Sequence, residues 1–443
     1  MIQTQPIERL INLIDEDSNF TFGMSSSEAS NLVGTGDPEA VRKIDGQFAL
    51  VHKEGNVVRL ARSIGRPMRY FLAKQAAGPT LIVAETIREI YEFLKGEGLD
   101  DQFHPSYTRM VPAHHVTELS LLGCPDPAPV YKRFVQSVPN ALAPDIQSIG
   151  EAYIGTLAEE IDKWIDKIPK NEPIGVMFSG GIDSGAVLVL ANHLLLKRGE
   201  AAQRLKAFTL SVDNAGSDIT QAQAFLSDLG LGHLLEQIDV SASDLKFHEA
   251  IKTIEDYKPL DVQAATMTLA LLNRVRELYP EWRYLLDGDG GDENLRDYPI
   301  EENPELTIRS VLSNSFFYHE GWGVDKIKHS LTYSGGQSRG HVRSHAPARS
   351  LGFHGFSPFA TPKVIEVAEQ IPFVELTDWD HEKLYSLKGE VTRAGIKAIT
   401  GDSIPVFEKN RFQRGAVAPD VFENVFPETE QEYRDTFSGV FSY

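Results

Sequence analysis

The sequence predicts an α/β protein whose larger part is a parallel sheet with helices on both faces. Short apolar runs with the character of buried strands recur at residues 174–178, 207–212, 234–240 and 283–287. Helical patterns alternate with them at about residues 184–197, 219–229, 243–256 and 265–278. This alternation is typical of βαβ units. Turns rich in glycine and aspartate follow the first and last of these strands, at the end where parallel sheets bind ligands.

Composition limits the possible partners. The chain has 443 residues and a formal net charge of −20, with 43 Lys and Arg against 63 Asp and Glu. Binding to a nucleic-acid backbone needs clustered positive charge, so we expect no nucleic-acid partner. No apolar run approaches the roughly 18 residues that span a bilayer, and we expect no membrane association. The oligomeric state stays open, a homo-oligomer included.

The N-terminus has no basic start followed by an apolar segment, so a cytoplasmic location is expected. The single cysteine, Cys124, excludes an internal disulfide.

Two domains are expected, at residues 1–130 and 131–443. The proline-rich run 125–129 marks the boundary. Before it, short β-type runs at 47–51, 57–61 and 80–83 suggest a β meander, followed by a helix at 85–95. After it, a helix at 145–168 opens the second domain. Its apolar residues recur every fourth position, as one buried stripe would: Ile149, Tyr153, Leu157, Ile161 and Ile165.

The first motif lies between strand 174–178 and helix 184–197. It reads Ser179, Gly180, Gly181, Ile182, Asp183 and Ser184. A strand-to-helix turn presents free backbone N–H groups and the positive end of the helix dipole, which together bind an anion. The glycines let the backbone approach a phosphate closely, and the serines can donate hydroxyl groups to it. The aspartate cannot help a bare phosphate and therefore implies a bridging Mg²⁺. A simple capped turn is the alternative.

The second motif follows strand 283–287. It reads Leu286, Asp287, Gly288, Asp289, Gly290, Gly291, Asp292 and Glu293. Its carboxylates would repel each other unless a cation were present. Its glycine spacing and the lack of a closing glutamate do not fit an EF-hand. A solvated acidic turn is the plain alternative.

The first motif resembles the pyrophosphate-binding loop of the N-type ATP pyrophosphatases, and the second resembles the G-E-G-x-D-E motif of asparagine synthetases. The resemblance implies an adenine nucleotide α-hydrolase-like fold that uses ATP and Mg²⁺. It makes Asp183 and Asp292 the metal ligands. It puts Gly288 near the adenosine, and Asp289 in place of the family's active-site glutamate. The strand 207–212 resembles the one that lies along the adenine, which implies contacts from Leu210 and Val212.

A C-terminal segment extends this resemblance. Residues 407–415, FEKNRFQRG, are similar to the family's K-x-x-F-x-x-G segment. In that family the lysine reaches back to the polyphosphate. The matching residue, Lys409, is therefore expected to stabilise negative charge that develops in the transition state.

The first domain resembles a class II glutamine amidotransferase, which implies an α+β fold of the Ntn-hydrolase type. The similar segments are residues 45–49, 59–62, 65–70, 84–85 and 111–116. The departures are that the chain starts Met1-Ile2 without a cysteine nucleophile, lacks the N-G-E motif and has Ser63 where an aspartate is usual. The expected domain is a scaffold without glutaminase activity.

The expected function is an AMP-forming ligase that adenylates a small-molecule or peptide carboxylate and passes the acyl group to ammonia or an amine. Relatives that lack the cysteine, such as β-lactam synthetases and lasso-peptide cyclases, use an amine of the same molecule, and this cyclase alternative stays open. A non-catalytic adenylate-binding scaffold is an alternative from another class, although the intact first motif and Asp292 argue against it. Nucleotide modification by the same chemistry is disfavoured by the acidic charge.

Overall fold

The structure is a computed structural model, and it describes residues 9–75, 78–121, 129–297, 300, 307–313, 341–407 and 412–441. The described residues up to 136 form one compact unit, and those from 137 onward form a second. Across these described residues, no helix combines the length and the apolar character needed to cross a membrane.

The first unit is built mainly from two four-stranded sheets, ordered β1-β7-β6-β8 and β10-β9-β5-β4. Its strands are β1 (Arg9–Asn12), β2 (Phe20–Phe22), β3 (Asp45–Gln47), β4 (Ala49–Glu54), β5 (Val57–Arg62), β6 (Arg69–Ala73), β7 (Thr80–Ala84), β8 (Arg109–Met110), β9 (His115–Ser120) and β10 (Val130–Arg133). Its helices are α1 (Ser26–Gly34), α2 (Pro38–Val41) and α3 (Ile87–Gly96). Leu60 from one sheet and Leu81 from the other belong to one buried cluster, so the two sheets share a core.

The expected meander in this unit is half right. Strands β4 and β5 form the predicted hairpin, in which Glu54 pairs with Val57. Strand β7 does not continue that sheet. It pairs with β6 and β1 in the other sheet. The prediction was wrong because it omitted β6, which lies between β5 and β7 in the chain and pairs with β7.

The second unit contains a five-stranded sheet, and its neighbouring strands are all parallel, as predicted. Its strands are β11 (Ile174–Met177), β12 (Leu205–Val212), β13 (Leu235–Val240), β14 (Tyr284–Leu286) and β15 (His354–Phe356), in the order β13-β12-β11-β14-β15. Strands β12 and β13 therefore lie on one side of β11, and β14 and β15, which come later in the chain, lie on its other side. Such a reversal leaves a crevice at the carboxyl ends of the two central strands.

Helices connect and surround this sheet. They are α4 (Ile146–Lys167), α5 (Ile182–Lys197), α6 (Asp218–Asp228), α7 (Phe247–Ile254), α8 (Pro259–Leu278), α9 (Gly291–Asn294), α10 (Ile308–Ser313), α11 (Ala346–Ser350), α12 (Pro362–Glu369), α13 (Phe373–Thr377), α14 (His381–Thr400), α15 (Phe412–Gly415), α16 (Pro419–Val425) and α17 (Glu430–Val440). Helix α8 begins six residues before its predicted start, because Pro259 already has the backbone angle of a first helical turn.

Helices α4 and α14 cross at two glycines. The predicted apolar stripe of α4 is buried along its whole length, and Asp145 caps the helix by accepting a hydrogen bond from Ser148 N at 2.8 Å. A Cβ at Gly150 would lie 2.6 Å from the carbonyl oxygen of Val391 on α14. A Cβ at Gly395 would in turn overlap the carbonyl oxygen of Gly150. The two backbones therefore touch, and this contact fixes the position of α14.

We expect Gly150→Ala to lower the free energy of unfolding by about 1–3 kcal/mol, because the added methyl group must push the two helices apart. Gly155→Ala is the matched control on the same helix, since a Cβ there meets nothing within 4 Å. In that variant, alanine should raise the free energy of unfolding by roughly 0.5–1 kcal/mol through its helix propensity. Urea unfolding of both variants measures the difference. Equal stabilities would show that the contact between α4 and α14 does not limit packing.

Candidate active site

The turn after β11 has the backbone of an anion-binding loop. Helix α5 starts at Ile182, and no side chain caps its first turn. Gly180 has a φ of +77°, and a Cβ there would lie 2.7 Å from Ala222 N, so only glycine fits. The hydroxyls of Ser179 and Ser184 lie 3.4 Å apart, and Ser184 Oγ also lies 3.3 Å from the Gly181 carbonyl oxygen. Ser179 N and Gly181 N also donate within the loop, to Ser184 Oγ at 3.4 Å and to Ser179 Oγ at 3.3 Å, so the loop is braced internally.

The turn after β14 is held by a buried carboxylate. Asp287 accepts hydrogen bonds from Asp289 N at 3.0 Å and from Ser357 Oγ at 2.8 Å. Burial and the nearby charge of Asp289 raise the pKa of Asp287 well above its usual range. Asp287 thus shapes the turn that carries Asp289 and Asp292.

The two turns touch each other. A Cβ at Gly288 would lie 2.5 Å from Ser184 N, and a Cβ at Gly291 would overlap the carboxylate of Asp183. Because β11 and β14 are hydrogen-bonded neighbours, their carboxyl ends meet at the reversal of strand order. The sequence motifs, more than a hundred residues apart, are therefore parts of one site.

A lysine that the sequence interpretation missed lies at the centre of this site. Lys388 Nζ donates hydrogen bonds to Asp183 Oδ2 at 2.5 Å, to Asp292 Oδ1 and to Asp297 Oδ2 at 3.3 Å. Its side chain is 6% exposed. Burial alone would favour the neutral amine, but the three carboxylates raise the pKa of Lys388 well above its ordinary value. The carboxylates of Asp183 and Asp292 thus converge on one point, no more than two hydrogen-bond lengths apart.

The sequence does contain a signal for Lys388. On helix α14 the buried positions include Leu384, Leu387, Val391 and Gly395, which form one stripe at helical spacing. Lys388 falls on this stripe. A lysine on the buried face of a helix is rarely buried without a partner, so it indicates an acidic site.

The two converging aspartates fit a magnesium ion that is shared with phosphate. Within the described residues no group of three or more His, Cys, Asp and Glu side chains is arranged to hold a metal by itself. Mg²⁺ usually takes one or two protein carboxylates and completes its coordination with substrate phosphates and water. Asp183 and Asp292 supply two carboxylates beside an anion-binding turn, which matches that donor set.

Asp289, also on the second turn, contacts a different segment of the chain. It accepts a hydrogen bond from Ser344 Oγ, which follows a long stretch of intervening chain. Burial raises the pKa of Asp289 to about 6, although the hydrogen bond from Ser344 and the charge of Arg343 oppose this rise. Arg343 is bound in turn to Asp261 on helix α8, with Nε 2.9 Å from Oδ1. Neither Ser344 nor Arg343 was predicted from the sequence.

The other predicted site residues have different outcomes. Leu210 and Val212 lie on β12 with their side chains in the hydrophobic core, and Val212 N donates to the Ala416 carbonyl at 3.0 Å. Their contact with adenine stays a prediction. Lys409 lies outside the described residues, and so do Met1, Ile2 and Cys124. Ser63 is buried, and its hydroxyl accepts a hydrogen bond from Phe48 N at 3.0 Å.

Asp218 is a further buried carboxylate next to the site. It begins helix α6, is 3% exposed, and its Oδ2 has no hydrogen-bond partner among the described residues. A Cβ at Gly415 would overlap its other carboxylate oxygen, so the C-terminal segment lies directly against it. Burial raises the pKa of Asp218 to about 7.

We expect Asp218→Asn to flatten the pH dependence of stability. The folded protein holds the proton of Asp218 up to a pKa of about 7, whereas an unfolded aspartate has a pKa of about 3.9. The stabilisation from this proton is therefore complete below the unfolded pKa and is lost as the pH rises through the folded pKa. Urea unfolding at pH 5 and pH 8 should show wild type losing about 2–3 kcal/mol relative to the variant. The same difference at both pH values would contradict this explanation.

The fold and site define a parallel α/β protein with an anion-binding turn and paired carboxylates at the point where its strand order reverses. Residues 166–355 match the asparagine synthase family. The chain thus contains an asparagine synthetase-like domain.

Individual relatives agree with this assignment. A probable glutamine-hydrolysing asparagine synthetase of Acanthamoeba polyphaga mimivirus is 25% identical over 151 residues, which is 34% of this chain and 26% of that protein. The glutamine-hydrolysing asparagine synthetase 2 of Arabidopsis thaliana is 30% identical over 211 residues, 47% of this chain and 33% of the relative. The match spans a third or less of the length of these curated relatives.

Among solved structures, an NAD⁺ synthetase from Burkholderia pseudomallei aligns with 48% of this chain and 88% of its own. Its sequence identity is 13% and its TM-score is 0.23, which is too low to establish a shared fold.

Proposed function

We propose that this protein is an ATP-dependent, AMP-forming ligase that joins a carboxylate to ammonia or an amine. The observation that carries the proposal is the convergence of Asp183 and Asp292 beside the glycine turn of residues 179–184. If the second motif were only a solvated acidic turn, Asp292 would not be expected to share the buried Lys388 with an aspartate from the first motif. The similarity of residues 166–355 to asparagine synthase supports the same chemistry.

Under this proposal the glycine turn holds the phosphates of ATP. The backbone N–H group of Gly180 and those at the start of helix α5 would bind phosphate oxygens, with Ser179 and Ser184 bracing the loop. Asp183 and Asp292 would hold Mg²⁺, which neutralises phosphate charge. By the resemblance to asparagine synthetases, Gly288 would lie near the adenosine.

The reaction would run in two displacements. A substrate carboxylate oxygen attacks the α-phosphorus of ATP, the bond to the bridging oxygen breaks, and pyrophosphate leaves. The nitrogen of ammonia or an amine then attacks the acyl carbon, the bond to the AMP oxygen breaks, and the amine gives up a proton. Asp289 is proposed to accept that proton, because its carboxyl lies on the same turn as Asp292. Lys388 and, by resemblance, Lys409 would stabilise the negative charge that develops on the phosphates.

The first unit is proposed to be a glutamine amidotransferase-like scaffold of the Ntn-hydrolase type. Two sheets around one core agree with that proposal. The expected lack of glutamine hydrolysis stays a prediction, and the source of the amine is open between free ammonia, a separate amine and an amine of the same molecule.

Measuring pyrophosphate and AMP together tests the proposed function. The protein is incubated with Mg·ATP and a panel of carboxylic acids, each with and without an amine. Pyrophosphate is followed by a coupled assay, and nucleotide products are identified by mass spectrometry. We expect equal amounts of AMP and pyrophosphate with an accepted acid. Release of ADP and phosphate, or no acid-dependent turnover across the panel, would refute the proposal.

A further inference from the structure

The C-terminal segment packs against the turn that joins β12 to α6. Gly216, in this turn, has a φ of +102°, and a Cβ there would lie 2.5 Å from the carbonyl oxygen of Gly415. Val212 N, at the end of β12, donates to the next carbonyl, that of Ala416, at 3.0 Å. Ala416 is 1% exposed and belongs to the hydrophobic core of this unit. The backbone at Gly415 and Ala416 is thus held at the carboxyl end of β12.

Asp218 makes the closest part of this contact. It begins helix α6, and a Cβ at Gly415 would overlap one of its carboxylate oxygens, so the backbone of Gly415 lies directly on the carboxyl group. Asp218 is 3% exposed, and its Oδ2 has no hydrogen-bond partner among the described residues. A buried carboxyl group without a hydrogen bond lowers stability, so its presence calls for a role other than stabilising the fold.

Helix α6 also contacts the glycine turn of residues 179–184. A Cβ at Gly180 would lie 2.7 Å from Ala222 N. Ala222 follows Asp218 by four residues and therefore lies one helical turn further along the same face of α6. The first turn of α6 thus contacts the C-terminal segment at one end and the proposed phosphate-binding turn at the other.

The position of the C-terminal segment matters for the proposed reaction. By the resemblance to asparagine synthetases, Lys409 would reach the polyphosphate, and it comes six residues before Gly415 in the chain. A charge that stabilises a transition state must be placed accurately, and a misplacement of about 1 Å can cost about a hundredfold in rate. A displacement of Gly415 should therefore appear mainly in kcat.

We propose that Asp218 is a positioning residue, whose carboxyl group holds the C-terminal segment at Gly415 in its active position beside the glycine turn. This inference rests on the proposed ligase function and adds to it a residue that acts through the segment and touches no substrate. The contact depends on the shape of the side chain more than on its charge, because burial favours the neutral carboxyl group and raises the pKa of Asp218 to about 7.

Steric variants test this contact in the pyrophosphate assay, with Mg·ATP and an acid accepted in the panel. Gly415→Ala adds a methyl group that overlaps Asp218, and Asp218→Glu adds a methylene group for which Gly415 leaves no room. Each should lower kcat about 100-fold, with a much smaller change in the KM for Mg·ATP. Asp218→Asn keeps the shape of the side chain and should retain most of the activity.

A double-mutant cycle shows whether the two residues act through each other. Asp218→Ala removes the group that the added methyl of Gly415→Ala would strike. The double variant should therefore recover kcat about tenfold or more over Gly415→Ala alone. The matched controls are Gly232→Ala, where a Cβ meets nothing within 4 Å, and Asp228→Glu at the exposed end of α6. Both should behave as wild type.

Hydrogen–deuterium exchange measures the position of the segment without catalysis. Peptides that cover residues 412–417 should exchange about tenfold or more faster in Gly415→Ala and Asp218→Glu than in wild type, because the clash opens the segment locally. In the double variant their exchange should slow again. Peptides of helix α4 should keep their wild-type rates, which distinguishes local opening from general unfolding.

The outcomes separate this inference from the function on which it rests. The contact is refuted as a positioning device if Gly415→Ala lowers kcat equally in the wild-type and Asp218→Ala backgrounds, or if both steric variants leave exchange unchanged. In either case the ligase function would stand. A wild-type protein that forms no AMP and pyrophosphate with any acid of the panel would refute the ligase function and, with it, the catalytic role of the contact, whatever the exchange rates.

Discussion

Replacing Asp183 or Asp292 by asparagine is expected to abolish pyrophosphate release while leaving the fold intact. Each change keeps the shape of the side chain and removes one of two carboxylates that converge at the reversal of strand order. Losing one ligand to a catalytic metal costs several kcal/mol of transition-state stabilisation. At about 1.4 kcal/mol for each factor of ten, this corresponds to a loss of roughly a thousandfold or more. Coupled pyrophosphate detection with an accepted acid measures it.

Asp297→Asn provides the matched comparison. Asp297 also binds Lys388, at 3.3 Å, but it lies beyond the second motif and is not a proposed metal ligand. Its replacement should therefore reduce turnover much less than either of the other two changes. Turnover within a few-fold of wild type in both Asp183→Asn and Asp292→Asn would eliminate the two-aspartate site.

The sheet and the two turns could be predicted because their signals are local. An apolar run followed by a glycine turn and a helical pattern specifies β11, the phosphate-type loop and α5 within about 25 residues. Parallel strands place their carboxyl ends on one edge, so motifs that follow two strands can be expected to lie near each other. The contact of Gly291 with Asp183 agrees with that expectation.

The strand order could not be predicted from periodicity. The three-residue strand β15 is too short to stand out, and its partner β14 lies about seventy residues earlier in the chain. Pairing over such distances is decided by packing of the whole core, as the shared cluster of the first unit shows. The meander was wrong for a different reason: it joined β7 to the β4–β5 hairpin and omitted β6, which pairs with β7.

The charged network around the motifs depends on tertiary contacts in the same way. Arg343, Ser344 and Lys388 reach the site from segments that carry no motif. The pKa of Asp289 rises to about 6 only because the folded chain buries it. Such shifts follow from burial and neighbours, and a sequence pattern contains neither.

Lys388→Met is expected to make the protein depend on Mg²⁺ for stability and to lower kcat. In wild type the lysine forms ion pairs with three carboxylates, whose side chains are 18%, 37% and 12% exposed at Asp183, Asp292 and Asp297. Removing one partner of a buried ion pair typically costs about 3–5 kcal/mol, and the partial exposure here reduces this to roughly 1–3 kcal/mol. If the lysine stabilises charge on the phosphates, kcat should also fall by about two to three orders of magnitude.

Magnesium should partly restore the stability of Lys388→Met, because the ion can replace the positive charge that Lys388 supplies to Asp183 and Asp292 in wild type. A ligand that binds only the folded state raises its stability by mass action, so Mg²⁺ should raise the Tm of the variant more than that of wild type. Thermal unfolding in EDTA and in MgCl₂ at equal ionic strength measures this difference. Lys397→Met removes the same charge from an exposed position of helix α14 and should show the wild-type response. Equal shifts of Tm by Mg²⁺ in Lys388→Met and in wild type would contradict this prediction. They would show that the lysine and the metal do not share the carboxylates of Asp183 and Asp292.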